Sequence, residues 1–131
     1  MKKVFADVFF YIALLNRGDA AHRRSLELLK QGAMEVFTTT AVLLEVADAM
    51  AAPAMRTDCA AFLEELSGWT KVRSLDEALL QRGLSLYGSR KDKAWSLTEC
   101  ISFVVMGDEG LTDALTGDRH FEQAGFTALL V

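Results

Sequence analysis

The chain is poor in proline and cysteine. It has one proline, Pro53, and two cysteines, Cys59 and Cys100, among 131 residues. With so little proline and no Gly/Ser-rich stretch, there is no candidate linker. No internal repeat, low-complexity tract or run of like charge divides the chain, so residues 1–131 read as one domain. Both cysteines lie in apolar helical patterns, and neither has a second Cys or a His at metal-ligand spacing. That excludes a zinc site and a disulfide framework and points to buried, reduced thiols in a cytoplasmic protein. Basic residues are not in excess. The formal charge is −4, which offers no general polyanion-binding surface, although net charge does not fix local field. No uncharged segment is long enough to cross a bilayer, so no membrane role is expected. Lys2-Lys3 and the apolar run to Leu15 imitate a secretory signal, but Asp7 interrupts the run and no small-x-small cleavage site follows cleanly.

What the chain does have is apolar content, 51% of residues, enough for one real core. Its organising stretch is Val4-Phe5-Ala6-Asp7-Val8-Phe9-Phe10, a short apolar strand that ends in one carboxylate. Such an acid is costly at the end of a buried strand unless something positive meets it. Further strands are expected at Glu35–Thr38, Thr70–Arg73, Leu111–Thr116 and Phe126–Val131. Helices are expected at Phe9–Leu15, Ala20–Gln31 behind Asp19, Thr39 or Thr40 to Ala52, Arg56–Ser67, Ser74 to Tyr87, Ser96–Met106 and Asp118–Ala124. Pro53 is read as a helix stop, and Ser74 with Glu77 as a capping box. Leu97, Cys100, Ile101, Val104 and Val105 mark a buried helical stripe. Strands alternating with helices imply a parallel sheet covered on both faces, with ligands outside the carboxyl ends of its strands.

Four acids fall where strands hand over to helices: Asp7, Glu45, Glu99 and Asp118. Each also has a structural reading. Asp7 and Asp118 sit where helix caps belong, Glu45 suits the start of a helix dipole, and Ser96-Leu97-Thr98-Glu99 is itself a capping box. As a set they fall on one edge of the sheet. Clustered carboxylates raise one another's pKa, and a hard divalent cation removes that cost. Oxygen-only ligands favour Mg2+ or Mn2+.

Four segments together carry a family likeness. They are Asp7 with Phe10-Tyr11-Ile12-Ala13-Leu14-Leu15, then Thr40-x4-Glu45, then Asp92-Lys93-x-Trp95-Ser96-Leu97-Thr98-Glu99-Cys100-Ile101-Ser102-Phe103, and Ala114-Leu115-Thr116-Gly117-Asp118-Arg119-His120-Phe121. Over nearly its whole length the chain resembles a PIN domain, and within that family the VapC-type ribonuclease toxins of type II toxin–antitoxin pairs. The resemblance implies a three-layer α/β/α fold with a central parallel sheet of four to five strands. It implies Mg2+-dependent (Mn2+ possible) hydrolysis of RNA phosphodiester bonds, leaving 5′-phosphate and 3′-hydroxyl ends. It also implies a separate antitoxin chain as partner and a homodimer. Its catalytic and metal-binding acids map to Asp7, Glu45, Glu99 and Asp118. The third is usually Asp in a Thr-Asp-Cys context, whereas here it is Glu99, one methylene longer. Asp92 and Asp113 match acids often seen in the subgroup, as second-shell or substrate-side candidates.

Lys93 in the basic loop Arg90-Lys91-x-Lys93, and the pair Arg119-His120, are candidates for gripping RNA backbone or are solvated loop charges. His120 is a further candidate for assisting the leaving group. Trp95 offers a base-stacking ring or a core one. The competing reading is a catalytically weakened PIN scaffold that retains RNA or protein binding. A phosphoacceptor receiver domain fits poorly, because Ala6 precedes Asp7 where an acidic pair is needed and the chain ends without Lys.

Overall fold

The computed structural model describes all 131 residues. Five strands form one sheet: β1 (Lys2–Ala6), β2 (Met34–Thr39), β3 (Thr70–Arg73), β4 (Asp113–Leu115) and β5 (Thr127–Ala128). All neighbours pair in parallel, in the order β3-β2-β1-β4-β5. Val4, Phe5 and Ala6 are all fully buried. Successive strand residues point to opposite faces, so the centre of the sheet is covered on both sides.

The helices are α1 (Val8–Leu15), α2 (His22–Lys30), α3 (Thr40–Ala49), α4 (Pro53–Glu65), α5 (Glu77–Ser89), α6 (Leu97–Asp108) and α7 (His120–Gln123). The three-layer α/β/α expectation and the five parallel strands are both present. The core runs through Phe5, Phe10, Tyr11, Val42, Val46, Ile101, Phe103 and Phe121. At one point two helices come close enough to exclude a side chain. A Cβ on Gly83 of α5 would lie 2.5 Å from Ile101 Cγ1 of α6.

Element ends differ from the sequence expectation at several places, and α2 and α7 start at His22 and His120, later than Asp19 and Asp118 suggest. Pro53 does not only stop a helix; it is the first residue of α4, where its missing N–H costs nothing. The preceding helix, α3, ends earlier, at Ala49. The cap of α5 is Asp76, whose side chain accepts from Leu79 N at 2.8 Å, so Ser74 and Glu77 form no capping box there. The last two strands are short, three and two residues. Leu129 N and Leu130 N still donate to Ala114 O and Thr116 O, which ties the C-terminal segment beside β4.

Strand order reverses at β1. The chain adds β2 and β3 on one side, then crosses to place β4 and β5 on the other. The carboxyl ends of β1 and β4 therefore flank the topological switch point, where open parallel sheets hold ligands.

Candidate metal centre

Asp7 follows β1 and Asp118 lies three residues beyond β4, so both stand at the switch point. Asp7 occupies the N-cap position of α1, yet its side chain makes no capping bond. Its Oδ2 instead accepts from Thr116 Oγ1 at 3.0 Å. The carboxyl is buried, 4% exposed. Burial, followed by the nearby charges of Glu99 and Asp118, lifts its pKa from 3.8 to about 7, against the opposing hydrogen bonds from Val8 N and Thr116.

Glu99 is brought in by α6. Ser96 caps that helix, and the capping box is complete: Ser96 Oγ accepts from Glu99 N at 3.0 Å, and Glu99 Oε1 accepts from Ser96 N at 2.9 Å. The capping and cluster readings of Glu99 coexist, because the same carboxylate reaches His120. His120 Nδ1 lies 3.0 Å from Glu99 Oε1 and 3.1 Å from Oε2. Burial raises the Glu99 pKa and the neighbouring Asp118 adds to it, while Ser96 N and His120 oppose. The Glu99 carboxylate in turn raises the pKa of His120.

Asp118 is set by its own turn. Asp118 N donates to Thr116 Oγ1 at 3.1 Å, and Asp118 Oδ1 accepts from His120 N at 2.9 Å. His120 Nδ1 lies 3.5 Å from the same Oδ1. One donor atom from each of Glu99, Asp118 and His120 lies within 4.8 Å of the others. A Cβ on Gly117, between Thr116 and Asp118, would lie 2.4 Å from Cζ of the part-exposed Phe9 ring, which would have to move.

Asp7 and the remaining candidates are outside that converging group. Glu45 is exposed on the second turn of α3 and makes no hydrogen bond or ion pair with Asp7, Glu99 or Asp118. Partial burial and then Asp48, not the cluster, raise its pKa. Asp92 is paired through two hydrogen bonds of 3.0 Å with Arg90, which holds its pKa down at about 2. That guanidinium lies over the Trp95 ring, 4.9 Å from its centroid. Trp95 is buried and its Nε1 donates to Gln123 Oε1, so it is a core ring. Asp113 opens β4 and pairs with Lys2 at 2.8 Å, away from the carboxyl ends of the strands. Lys93 is half-buried in its loop, and exposed Arg119 pairs with Glu122 at 2.9 Å. Sequence reasoning missed Thr116. Its signal was a polar residue ending an apolar strand immediately before Gly117-Asp118.

An all-parallel five-stranded sheet with acids gathered where its order reverses defines a PIN-like α/β domain. Comparison with known proteins narrows this further. The chain is 28% identical over 124 residues to the 23S rRNA-specific endonuclease VapC20 of Mycobacterium tuberculosis, covering 94% of this chain and 95% of that protein. It also superimposes on the crystal structure of that VapC20, described as a sarcin–ricin loop cleaving toxin. The TM-score is 0.88 at 25% identity, over 96% of this chain and 98% of the other. VapBC2 of Rickettsia felis, solved with a promoter DNA fragment, shares the fold at a TM-score of 0.68 and 11% identity, over 96% of each chain. So does the VapBC of Salmonella typhimurium, at 0.68 and 14%, over 98% of this chain and 97% of the other. No family model matches the chain. In sequence and in fold this chain is similar to the PIN-like domains of VapC-type proteins.

Proposed function

We propose that the protein is a metal-dependent endoribonuclease, the toxin of a toxin–antitoxin pair, acting as a single domain over residues 1–131. One observation carries this reading: Glu99 and Asp118, distant in sequence, converge with His120 at the switch point, Asp7 lies near enough for their charges to act on it, and no Lys or Arg pairs with any of the three acids. Carboxylates gathered in this way, with an imidazole as their one basic neighbour, are a donor set that suits a hard dication.

Thr116, Ser96 N and His120 N each hold one oxygen of Asp7, Glu99 and Asp118 in turn, and His120 Nδ1 lies within hydrogen-bond reach of both Glu99 oxygens. The residues present therefore fit Mg2+, with Mn2+ as the alternative. Asp7, Glu99 and Asp118 would hold it directly, and Glu45, from its exposed position on α3, through water. When bound, the ion supplies a water of lowered pKa and a counter-charge for phosphate. Asp118 or Glu45 is the carboxylate to accept the proton from the attacking water. Arg119 and Lys93 are the candidates to meet RNA backbone, and His120 the candidate to assist the leaving oxygen.

VapC20 is named for 23S rRNA, so a hairpin carrying the sarcin–ricin loop is the first RNA to assay. Wild-type protein with Mg2+ is expected to cut it at one site, and Asp7→Asn to lose cleavage with its far-UV circular dichroism unchanged. Equal cleavage by both sinks the assignment.

The solved relatives include VapBC complexes, which supports an antitoxin partner. Its seat is a groove of about 420 Å³ between α3 and α4, lined by Ala47, Met50, Cys59 and Leu63. A homodimer is the expected assembly. No helix is long and apolar enough to cross a membrane, and a cytoplasmic location fits the reduced cysteines. Glu99 favours a second reading, a weakened scaffold that binds without turnover. Both its oxygens are engaged by Ser96 N and His120. Metal binding without cleavage of any RNA would favour that reading.

A further inference from the structure

We propose that His120 is itself a ligand of the ion, through Nδ1, and that this nitrogen gives the centre a preference for Mn2+ over Mg2+. The inference rests on the metal-centre reading above and goes beyond its four acids. Three observations carry it.

The first is spacing. His120 Nδ1 is 3.0 Å and 3.1 Å from the two Glu99 oxygens and 3.5 Å from Asp118 Oδ1. Adjacent ligands on an octahedral ion, each about 2.1 Å from the metal, stand about 3.0 Å apart. In the metal-free protein these contacts are hydrogen bonds, and an ion taking the place of the shared proton would find nitrogen and oxygens at the separation of neighbouring ligands. The second is the backbone. Asp118 Oδ1 accepts from His120 N at 2.9 Å, a turn two residues long. That turn puts the imidazole on the same side as the carboxylate that precedes it. The third is membership. Among all His, Cys, Asp and Glu side chains, the group whose donor atoms converge is Glu99, Asp118 and His120, so the imidazole is inside the cradle. The other histidine, His22, has its Nδ1 2.7 Å from Ala13 O and is bound up in α1–α2 packing.

The consequence follows from ligand chemistry. Mg2+ holds an oxygen octahedron and gives up water reluctantly, whereas Mn2+ suits the same oxygen donors but belongs to the transition-metal series, whose ions take nitrogen donors as well. A centre of oxygen donors plus one imidazole therefore binds Mn2+ more tightly than an all-oxygen one, and Mg2+ no more tightly.

The test uses the full chain and Mn2+ alone, followed by electron paramagnetic resonance. Spin-echo modulation from a directly bound 14N is expected in the unmodified protein, and growth with 15N-histidine should change its pattern. His120→Gln should remove the nitrogen modulation and weaken Mn2+ binding at least about tenfold. Mg2+ binding, measured by competition, should change less than about threefold. Bound Mn2+ without nitrogen modulation overturns the His120 assignment and leaves the acid centre standing. Equal losses for the two ions overturn the preference. If neither ion binds the unmodified protein, the metal centre itself is wrong, and cleavage by Asp7→Asn would show the same failure independently. The spin-echo measurement needs no variant, so a folding defect in His120→Gln cannot obscure the result.

Discussion

Asp7 Oδ2 accepts a hydrogen bond from Thr116 Oγ1 at 3.0 Å, joining residues 109 apart in the chain. The same hydroxyl accepts from Asp118 N at 3.1 Å. One side chain thus positions an acid on either side of the β1–β4 boundary. Thr116→Val keeps the shape and removes the hydroxyl, leaving a buried carboxyl without its side-chain donor. The expected cost is about 1–3 kcal/mol in urea unfolding. The Asp7 pKa should rise above about 7, because the lost bond lowers it. Thr116→Ser should restore both. Carbon-13 detection of the Asp7 carboxyl through a pH titration reads the shift, and an unchanged midpoint in the valine variant refutes the positioning role.

The raised Asp7 pKa makes the metal-free protein less stable at neutral pH than in mild acid. The folded carboxyl titrates at about 7 and the unfolded one at about 3.8. Between those values the native state binds more protons than the unfolded state, so the contribution of Asp7 is fully present below pH 3.8 and falls as pH rises toward 7. The shift corresponds to at most about 4 kcal/mol. Asp7→Asn cannot ionise and should therefore melt higher than the parent near pH 8 without metal. Added Mn2+ should raise the parent's melting temperature and leave that of the variant unchanged. If Asp7→Asn melts lower than the parent at pH 8, Asp7 is ionised and stabilised by something else.

The strand-then-acid pattern at Val4–Asp7 was legible because an apolar run and its terminal carboxylate need only local sequence to be recognised. The parallel topology was legible for a similar reason, since strand and helix periods alternate. The partner of each acid was not. Glu99 followed by Cys100 and Ile101 reads as a capping box, and that box is present. Nothing local shows that the same carboxylate also meets His120, because that contact depends on how α6 packs beside the turn after β4. The family likeness makes Asp113 and Asp92 second-shell or substrate-side candidates. The structure ties them to Lys2 and Arg90, pairings that depend on the register of β4 with β1 and on the shape of one loop. Glu45 is in its expected helix, yet the direction of its side chain depends on the roll of α3, which the sequence leaves open.

Gly83 tests the packing that carries Glu99 into place. A Cβ there would lie 2.5 Å from Ile101 Cγ1 and 3.5 Å from Ile101 Cα. Ile101 is buried and two residues beyond Glu99, so it has little freedom to yield. Gly83→Ala gains helix propensity of about 1 kcal/mol. The overpacking cost, about 1–3 kcal/mol, should exceed it. The melting temperature is expected to fall by several degrees. Gly88, later in the same helix, has nothing within 4 Å of its would-be Cβ. Gly88→Ala should raise the melting temperature. Equal responses at the two positions would mean that α5 and α6 are not packed this closely.

Glu99 carries two duties that separate under substitution. Glutamine retains a carbonyl oxygen to accept from Ser96 N, so Glu99→Gln should preserve the capping box and stay within about 0.5 kcal/mol of the parent. It loses the charge that faces Asp118 and His120, and with it ion binding and RNA cleavage. Aspartate retains the charge but is one methylene shorter. Glu99→Asp should lose the reciprocal bond to Ser96 N, at a cost of about 0.5–1 kcal/mol, while cleavage is kept or improved. Urea unfolding and Mn2+ titration on the same two variants read the two duties separately. If both variants bind ion and cleave like the parent, Glu99 serves α6 alone and the centre is built from Asp7 and Asp118 without it.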